Sequence, residues 1–261
     1  MHAPLPIAYT EKGTGPALVL VHGFPLDARM WRDQLAVLAR TRRVIAVDLR
    51  GRGASRHIAE GPWTIDSHAD DIALTLTRLG IARADFVGLS MGGYILFALW
   101  RRHEMRLRSL VLMSTRADAD SDQARANRLR TAERVLHDGT DVLAEDMLPK
   151  LTAPTAPIAV IADVRPMIRE TPKETDAYDL AALAHRPDAT ADLCRMRVPT
   201  LVVHGAQDTL IAPASAETMA RALPGAHFEL IAGAGHLPAL EQPADVNAVL
   251  AAFLSRPGAL P

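Results

Sequence analysis

Short, continuously apolar segments alternate with longer segments of helical spacing along much of this 261-residue chain. The apolar segments are rich in Val, Ile and Leu, and they lie at 17–21, 43–47, 84–87, 109–113, 199–204 and 227–231. Between several of them lie segments with helical spacing, such as 30–39, 67–79 and 93–102. Strands that are apolar on both faces and alternate with helices are typical of a mostly parallel sheet covered by helices. The sequence therefore predicts an α/β fold.

The alternation stops between residues 115 and 196. Prolines divide this stretch into segments of helical rather than strand-like spacing: Pro149, Pro154, Pro157, Pro166, Pro172 and Pro187. Helices inserted between two strands of such a sheet are expected to lie over the carboxyl ends of the strands. The alternative, helices packed on a sheet face, would need fewer residues. We therefore predict one domain, with a core at 1–114 and 197–261 and an inserted helical cap at 115–196.

Composition excludes several classes of partner. The formal net charge is −1 and the basic residues are scattered, so nothing favours nucleic acid or an anionic membrane as a partner. No apolar run is long enough to span a membrane, and residues 1–6 do not resemble a signal peptide. We expect a cytoplasmic protein that acts on a small molecule without a metal or cofactor, and we leave homo-oligomer formation open. The single cysteine, Cys194, excludes an intrachain disulfide and is expected to be buried as a small apolar residue.

A serine stands between two glycines where a predicted strand passes into a predicted helix. Gly88-Leu89-Ser90-Met91-Gly92 follows the apolar segment 84–87 and precedes the helical segment 94–102. A sharp turn at a strand end lifts a serine hydroxyl away from the backbone, and glycines permit close packing around that turn. The alternative, a glycine-rich turn with an incidental serine, leaves the flanking strand and helix unexplained. Ser90 is therefore the candidate nucleophile.

Two later loops carry the groups that would activate this serine. Gly205-Ala206-Gln207-Asp208 follows one predicted strand, and Gly233-Ala234-Gly235-His236 follows the next. Loops at the carboxyl ends of parallel strands meet at one edge of the sheet. His236 is therefore the candidate general base, and Asp208 the acid that orients the imidazole and stabilises its charged form. The order serine, acid, histidine is the one expected for a nucleophile on this kind of turn.

Attack by the serine produces an oxyanion, which needs preorganised hydrogen-bond donors. The turn supplies one of them, the backbone N–H of Met91. The loop His22-Gly23-Phe24-Pro25 is expected to supply the second from Phe24, because Pro25 has no N–H. The candidates for the substrate pocket are Pro25, Met30, Trp31, Met147 and Leu237. Packing of the first helix onto the sheet explains Met30 and Trp31 equally well.

These motifs, in this order, resemble those of α/β-hydrolase-fold enzymes along nearly the whole chain. The resemblance is carried by residues 22–27, 30–31, 48–55, 88–93, 205–208 and 233–236. The most similar branches are the 3-oxoadipate enol-lactonase-like hydrolases and the cofactor-free haloperoxidase or perhydrolase esterases. The resemblance implies a serine hydrolase that cleaves a small carboxylic ester or lactone through an acyl-enzyme. Two alternatives stay open: cofactor-free perhydrolysis at the same triad, and a ligand-sensing protein with slow turnover.

Two features depart from the family pattern. The segment before Ala17 has room for one strand of the usual leading hairpin, at 5–10. The predicted cap carries a single aromatic residue, Tyr178, so its pocket cannot be matched residue by residue to that of an enol-lactonase.

Several other residues are expected to have structural roles. His22 should fix its loop through hydrogen bonds to the backbone. The segment 48–55 lacks the lysine of a phosphate-binding loop, and no ligand spacing supports a metal site at His204, Asp208 and His236. We expect the remaining histidines at the surface: His57, His68, His103, His137, His185 and His227.

The arginines of the first predicted cap helix have the spacing of a solvated face: Arg125, Arg128, Arg130 and Arg134. The alternative is that one of them turns inward and binds a substrate carboxylate. If Asp208 is not the acid, the next candidates are Asp118 and Asp120, which follow the strand at 109–113.

Overall fold

A seven-stranded sheet forms the centre of the structure, a computed structural model that describes residues 3–57 and 61–256. The strands are β1 (Tyr9–Lys12), β2 (Ala17–Val21), β3 (Arg43–Val47), β4 (Ala84–Leu89), β5 (Leu107–Met113), β6 (Thr200–Gly205) and β7 (His227–Ile231). They lie in the order β1-β3-β2-β4-β5-β6-β7. The β1–β3 pair is antiparallel, whereas the five other pairs are parallel. The predicted α/β fold with a mostly parallel sheet is confirmed.

Helices flank this sheet and connect its strands. They are α1 (Arg32–Leu38), α2 (Ile65–Arg78), α3 (Met91–His103), α4 (Asp122–Asp138), α5 (Asp141–Leu151), α6 (Ile158–Arg169), α7 (Lys173–Ala184), α8 (Thr190–Leu193), α9 (Pro213–Ala222), α10 (Pro238–Glu241) and α11 (Pro243–Leu254). Short 3-10 turns occupy Ala28–Trp31, Gly53–Ser55 and Glu104–Arg106. Helix α2 packs on α3, and α1 packs on α11.

Burial along the strands follows their position in the sheet. Every residue of β2 and β4 is buried, because both strands have neighbours on each side and helices above them. Every residue of the edge strand β1 is exposed. One leading strand is present, as expected, but it spans Tyr9–Lys12 rather than 5–10. An exposed edge strand has no apolar pattern from which its bounds could be read.

Five helices, α4 to α8, lie in the connection between β5 and β6, and we call the segment that they span, residues 122–193, the helical insertion. Helix α4 packs along α7, and α5 packs on α6. Two prolines lie where helices begin, with Pro157 directly before α6 and Pro172 directly before α7. Two others, Pro149 and Pro166, lie inside α5 and α6. The prolines therefore coincide with the start of some helices in this region, but they do not mark every helix boundary.

A buried cluster of five side chains, the Arg52 network, joins the loop after β3 to α7. The Arg52 guanidinium donates to Asp179 Oδ2 at 2.7 Å through Nε and to Asp176 Oδ1 at 2.8 Å through Nη2. Asp179 Oδ1 accepts from Trp63 Nε1 at 2.7 Å and lies 3.1 Å from His68 Nε2. All five residues are buried. The network thus ties the helical insertion to the sheet.

Two predictions about burial are wrong. His68 is fully buried rather than at the surface, because its ring pairs with Asp179 inside the Arg52 network. Cys194 is exposed rather than buried, because it follows the short surface helix α8. Across residues 3–57 and 61–256, no helix is both long and apolar enough to cross a lipid bilayer.

Candidate active site

Ser90 sits on a strained turn between β4 and α3. Its backbone has φ 54° and ψ −110°, in a region that non-glycine residues rarely adopt. The turn needs glycines because neighbouring backbone is close: a Cβ on Gly92 would lie 2.4 Å from Val21 O, and one on Gly88 would lie 2.6 Å from Gly92. The Ser90 N–H donates to Met113 O at 2.8 Å, which anchors the turn to β5. The close packing around the turn and this hydrogen bond hold Ser90 in its strained conformation at the end of β4.

His236 and Asp208 meet at the carboxyl ends of β6 and β7. His236 Nδ1 lies 2.8 Å from Asp208 Oδ2, and both side chains are buried. Because a carboxylate only accepts, Nδ1 carries the proton, which leaves Nε2 with a free lone pair. His236 Nε2 is buried and has no hydrogen-bond partner in the part of the chain that the structure describes. The imidazole is therefore oriented and free to accept a proton.

Asp208 is held in its charged form. Its Oδ1 accepts from the backbone N–H groups of Leu210 at 2.8 Å and Ile211 at 3.0 Å. Burial raises the pKa of Asp208, but hydrogen bonding to His204 and His236 outweighs burial and holds the net pKa well below its usual range. His204 Nε2 lies 3.1 Å from Asp208 Oδ2 and 2.9 Å from Ile211 O. His204 thus supports the carboxylate, a role that the sequence did not indicate.

Glu241, which sequence reasoning missed, holds the loop of His236 on both sides. Its carboxylate accepts from the backbone N–H groups of Gly235 at 3.0 Å and Leu237 at 3.0 Å. The same carboxylate accepts from Ala153 N at 2.7 Å, in the helical insertion. A buried glutamate bonded to three backbone amides leaves no periodic signal in the sequence.

The loop that carries Phe24 is fixed by His22, as the sequence indicated. His22 Nδ1 donates to Gly23 O at 3.0 Å, and its Nε2 accepts from Leu49 N at 3.1 Å. Burial, followed by the nearby Arg52 charge, lowers the pKa of His22 to about 4, so the ring is neutral near pH 7. The Arg52 guanidinium also lies 5.0 Å from the centre of the Phe24 ring. The Arg52 network therefore packs directly against this loop.

A cavity of about 370 Å³ brings several predicted site residues together. Ser90, Met91, Phe24 and Met147 line it. The cavity is also lined by residues that the sequence did not single out: Tyr94, Leu183, Leu210 and Ile211. Four predicted pocket residues are not among the described residues that line it: Pro25, Met30, Trp31 and Leu237. Met30 and Trp31 are fully buried in the core, which fits the packing role that the sequence left open.

Part of the wall of this cavity is charged. Arg116, Asp120 and Arg128 line it, and the Asp120 carboxylate pairs with Arg116 at 2.9 Å and with Arg128 Nε at 2.5 Å. Asp120 also pairs with Arg186 at 2.7 Å. Asp120 is thus surrounded by arginines, whereas His236 pairs with Asp208. Arg130 and Arg134 are exposed on the outside of α4, so Arg128 is the arginine of the predicted face that lines the cavity.

The described residues contain no cluster of three or more metal-ligating side chains. His204, Asp208 and His236 instead form hydrogen bonds with one another and with backbone.

Comparisons with known proteins place these features in a family. A family described as "alpha/beta hydrolase fold" matches residues 16–243. A thermophilic esterase from Thermogutta terrifontis, solved with malate bound, is 41% identical, with a TM-score of 0.92 over 95% of this chain and 92% of that one. The enol-lactonase from Burkholderia xenovorans LB400 is 30% identical, with a TM-score of 0.87 over 96% of each chain. A non-heme chloroperoxidase from Kitasatospora aureofaciens is 32% identical over 88% of each chain. The chain belongs to the α/β-hydrolase family.

Proposed function

We propose that this protein is a serine hydrolase that cleaves a small carboxylic ester or lactone through an acyl-enzyme on Ser90. One observation carries the proposal: the Asp208–His236 pair, joined at 2.8 Å with His236 Nε2 free, follows β6 and β7, and Ser90 lies on a strained turn at the carboxyl end of β4 in the same sheet. Geometry of this kind is the recognised basis for activating a serine. The esterase and enol-lactonase among the relatives support the same reaction class.

The proposed reaction has two halves. His236 Nε2 takes the proton of the Ser90 hydroxyl as its oxygen attacks the ester carbonyl, and the imidazolium then protonates the departing alcohol. Water, deprotonated by His236, next attacks the acyl-enzyme and releases the acid. In both halves Asp208 stays ionised and stabilises the imidazolium, which agrees with its lowered pKa. The backbone N–H groups of Met91 and Phe24 are the proposed donors to the oxyanion.

The cavity limits the substrate. A volume of about 370 Å³ corresponds to roughly a dozen water-sized groups at about 30 Å³ each. We propose that the helical insertion acts as the cap over this site, because α4, α5 and α7 contribute Arg128, Met147 and Leu183 to the cavity that contains Ser90. A cavity lined by both apolar and charged side chains is suited to a short substrate.

Loss of hydrolysis on removal of the serine hydroxyl tests the proposal. Ser90→Ala should lower the kcat for a methyl or p-nitrophenyl ester of a short acid by orders of magnitude while leaving the thermal unfolding temperature within a few degrees. Ser114→Ala is the matched control, because this serine is also buried at a strand end with positive φ but does not line the cavity. Unchanged hydrolysis by the Ser90 variant would overturn the proposal.

Perhydrolysis is the second candidate, favoured by the 32% identity to a chloroperoxidase. In that reaction hydrogen peroxide attacks the acyl-enzyme in place of water, and a peracid leaves. Measuring how the acyl group partitions between peroxide and water on one ester separates the two reactions. A strong preference for peroxide would replace simple hydrolysis as the function. Turnover below about 1 per second on every ester tested would instead favour a ligand-sensing role.

A further inference from the structure

The side chains clustered around Asp120, which lines the cavity, carry more positive than negative charge. Three guanidinium groups surround the Asp120 carboxylate: those of Arg116, Arg128 and Arg186. A second acid, Asp118, lies 3.3 Å from Arg116, but its side chain is 54% exposed and its charge is screened by solvent. Burial raises the pKa of Asp120, but Arg128 and Arg186 outweigh burial and keep its net pKa below the usual range. With both acids ionised, one positive charge is left over.

The three arginines differ in how many of their donors are used. Arg186 donates to Leu183 O at 3.0 Å and to Asp118 O at 3.0 Å, pairs with Asp120, and stacks over the Tyr94 ring at 4.4 Å. Arg116 uses Nη1 and Nη2 on Asp118 and Asp120. In both guanidinium groups, each Nη nitrogen therefore already has a partner in the protein.

Arg128 uses one donor. Its Nε donates to Asp120 Oδ2 at 2.5 Å, and neither Nη group has a hydrogen-bond partner within residues 3–57 and 61–256. Its side chain is 28% exposed and lines the cavity that Ser90 lines. The ion pair with Asp120 fixes the guanidinium plane, so the N–H groups of Nη1 and Nη2 stay available on a partly desolvated wall. A carboxylate matches such a pair of donors in charge and in planar geometry.

We propose that Arg128, held in place by Asp120, binds a carboxylate of the substrate, so that the preferred substrate is a half-ester or lactone of a dicarboxylic acid. This inference rests on the proposed hydrolysis at Ser90. Met147 and Leu183 line the same cavity, where they can contact a short apolar chain. The carboxylate fixes the substrate at one end, and the ester is presented to the serine.

A matched pair of substrates tests this inference. Monomethyl hexanedioate and methyl hexanoate have the same chain length and differ in the terminal carboxylate, and proton release in a pH-stat follows both. The wild-type protein should have a kcat/KM for the half-ester that exceeds that for the neutral ester by about 10- to 100-fold. Arg128→Gln should abolish this preference by lowering the kcat/KM for the half-ester about 10- to 100-fold more than that for methyl hexanoate. Arg128→Lys should restore part of it, because a lysine keeps the charge without the paired donors.

Arg130→Gln is the control, since Arg130 is exposed on the same helix and does not line the cavity. An equal loss for both esters in Arg128→Gln, or no preference in the wild-type protein, would overturn the inference. A binding readout distinguishes this failure from failure of the proposed function: hexanedioate should protect Ser90 from a fluorophosphonate better than hexanoate does. Labelling of Ser90 without such protection would refute the carboxylate site alone. Absence of labelling together with absence of turnover would refute the hydrolase itself.

Discussion

Replacing Arg52 with Met should lower the free energy of unfolding by about 3–5 kcal/mol at pH 8, because it leaves buried carboxylates without their cation. Arg52, Asp176 and Asp179 are fully buried. Asp179 would keep its contacts with Trp63 and His68, whereas Asp176 would lose the hydrogen bond to its Oδ1. Asp176 Oδ2 has no hydrogen-bond partner among the described residues even in the intact protein. The uncompensated charge therefore falls mainly on Asp176.

Urea unfolding followed by tryptophan fluorescence measures this loss, and thermal unfolding gives a second readout. For a chain of this size the expected loss lowers the unfolding temperature by roughly 6–20 °C. Arg43→Met is the matched control, because Arg43 pairs with Glu11 at 2.7 Å and both side chains are about one-third exposed. Solvent screening limits an exposed pair of this kind to about 0–1 kcal/mol.

The loss should also depend on pH. Burial raises the pKa of Asp176 to about 7 although Arg52 lowers it, and removal of Arg52 raises that pKa further. At pH 5.5 Asp176 is protonated in the folded Arg52→Met variant, so the deficit should be smaller there than at pH 8. A loss in the free energy of unfolding of Arg52→Met below about 1 kcal/mol at pH 8, or an equal loss in Arg52→Met and Arg43→Met, would contradict this prediction.

Three further predictions concern individual carboxylates. The free energy of unfolding of Asp176→Asn should rise by about 2 kcal/mol relative to that of the wild-type protein as the pH goes from 5 to 8. The raised pKa of Asp176 stabilises the wild-type fold at low pH, and this contribution is lost as pH rises through 7. Urea unfolding at both pH values checks it, and a parallel decline of the two proteins would contradict it. Asp208→Asn should lower kcat for a short ester by about 10⁴-fold without unfolding the protein, because an amide does not stabilise the imidazolium or fix its tautomer; near-normal kcat would point to Asp118 or Asp120 as the acid. Glu241→Gln should lower kcat by about 10- to 100-fold with little change in KM. The reason is that one amide oxygen cannot accept from the backbone N–H groups of Gly235, Leu237 and Ala153. Equal kinetics in the variant and the wild-type protein would show that Glu241 does not position His236.

The parts of the fold that follow local rules could be predicted from the sequence. Strands β2 and β3 have the predicted bounds, because a buried parallel strand is a continuous apolar run. The loops after β4, β6 and β7 carry the proposed catalytic residues, and the carboxyl ends of parallel strands bring those loops together. The glycines of the turn between β4 and α3 were also predictable from local geometry, since a Cβ at Gly92 would collide with backbone.

The rest depends on partners that lie far apart in the chain. Arg52 and Asp179 are 127 residues apart, and Ala153 and Glu241 are 88 apart, so no local pattern marks either pair. Met30 and Trp31 show the same dependence: they are close to Phe24 in sequence, but their side chains pack into the core and do not line the cavity. Tyr94 and Leu183, which line the cavity, come from α3 and α7, and only the packing of the helical insertion brings them together.

The central claim is that Ser90 forms a covalent acyl-enzyme. Incubation with a fluorophosphonate, followed by intact-mass and peptide mass spectrometry, tests it most directly. We expect one adduct per chain, located on Ser90, with a labelling rate that falls by orders of magnitude in His236→Ala and with no adduct in Ser90→Ala. Labelling at another residue, or an unlabelled Ser90 in a folded protein, would contradict this mechanism.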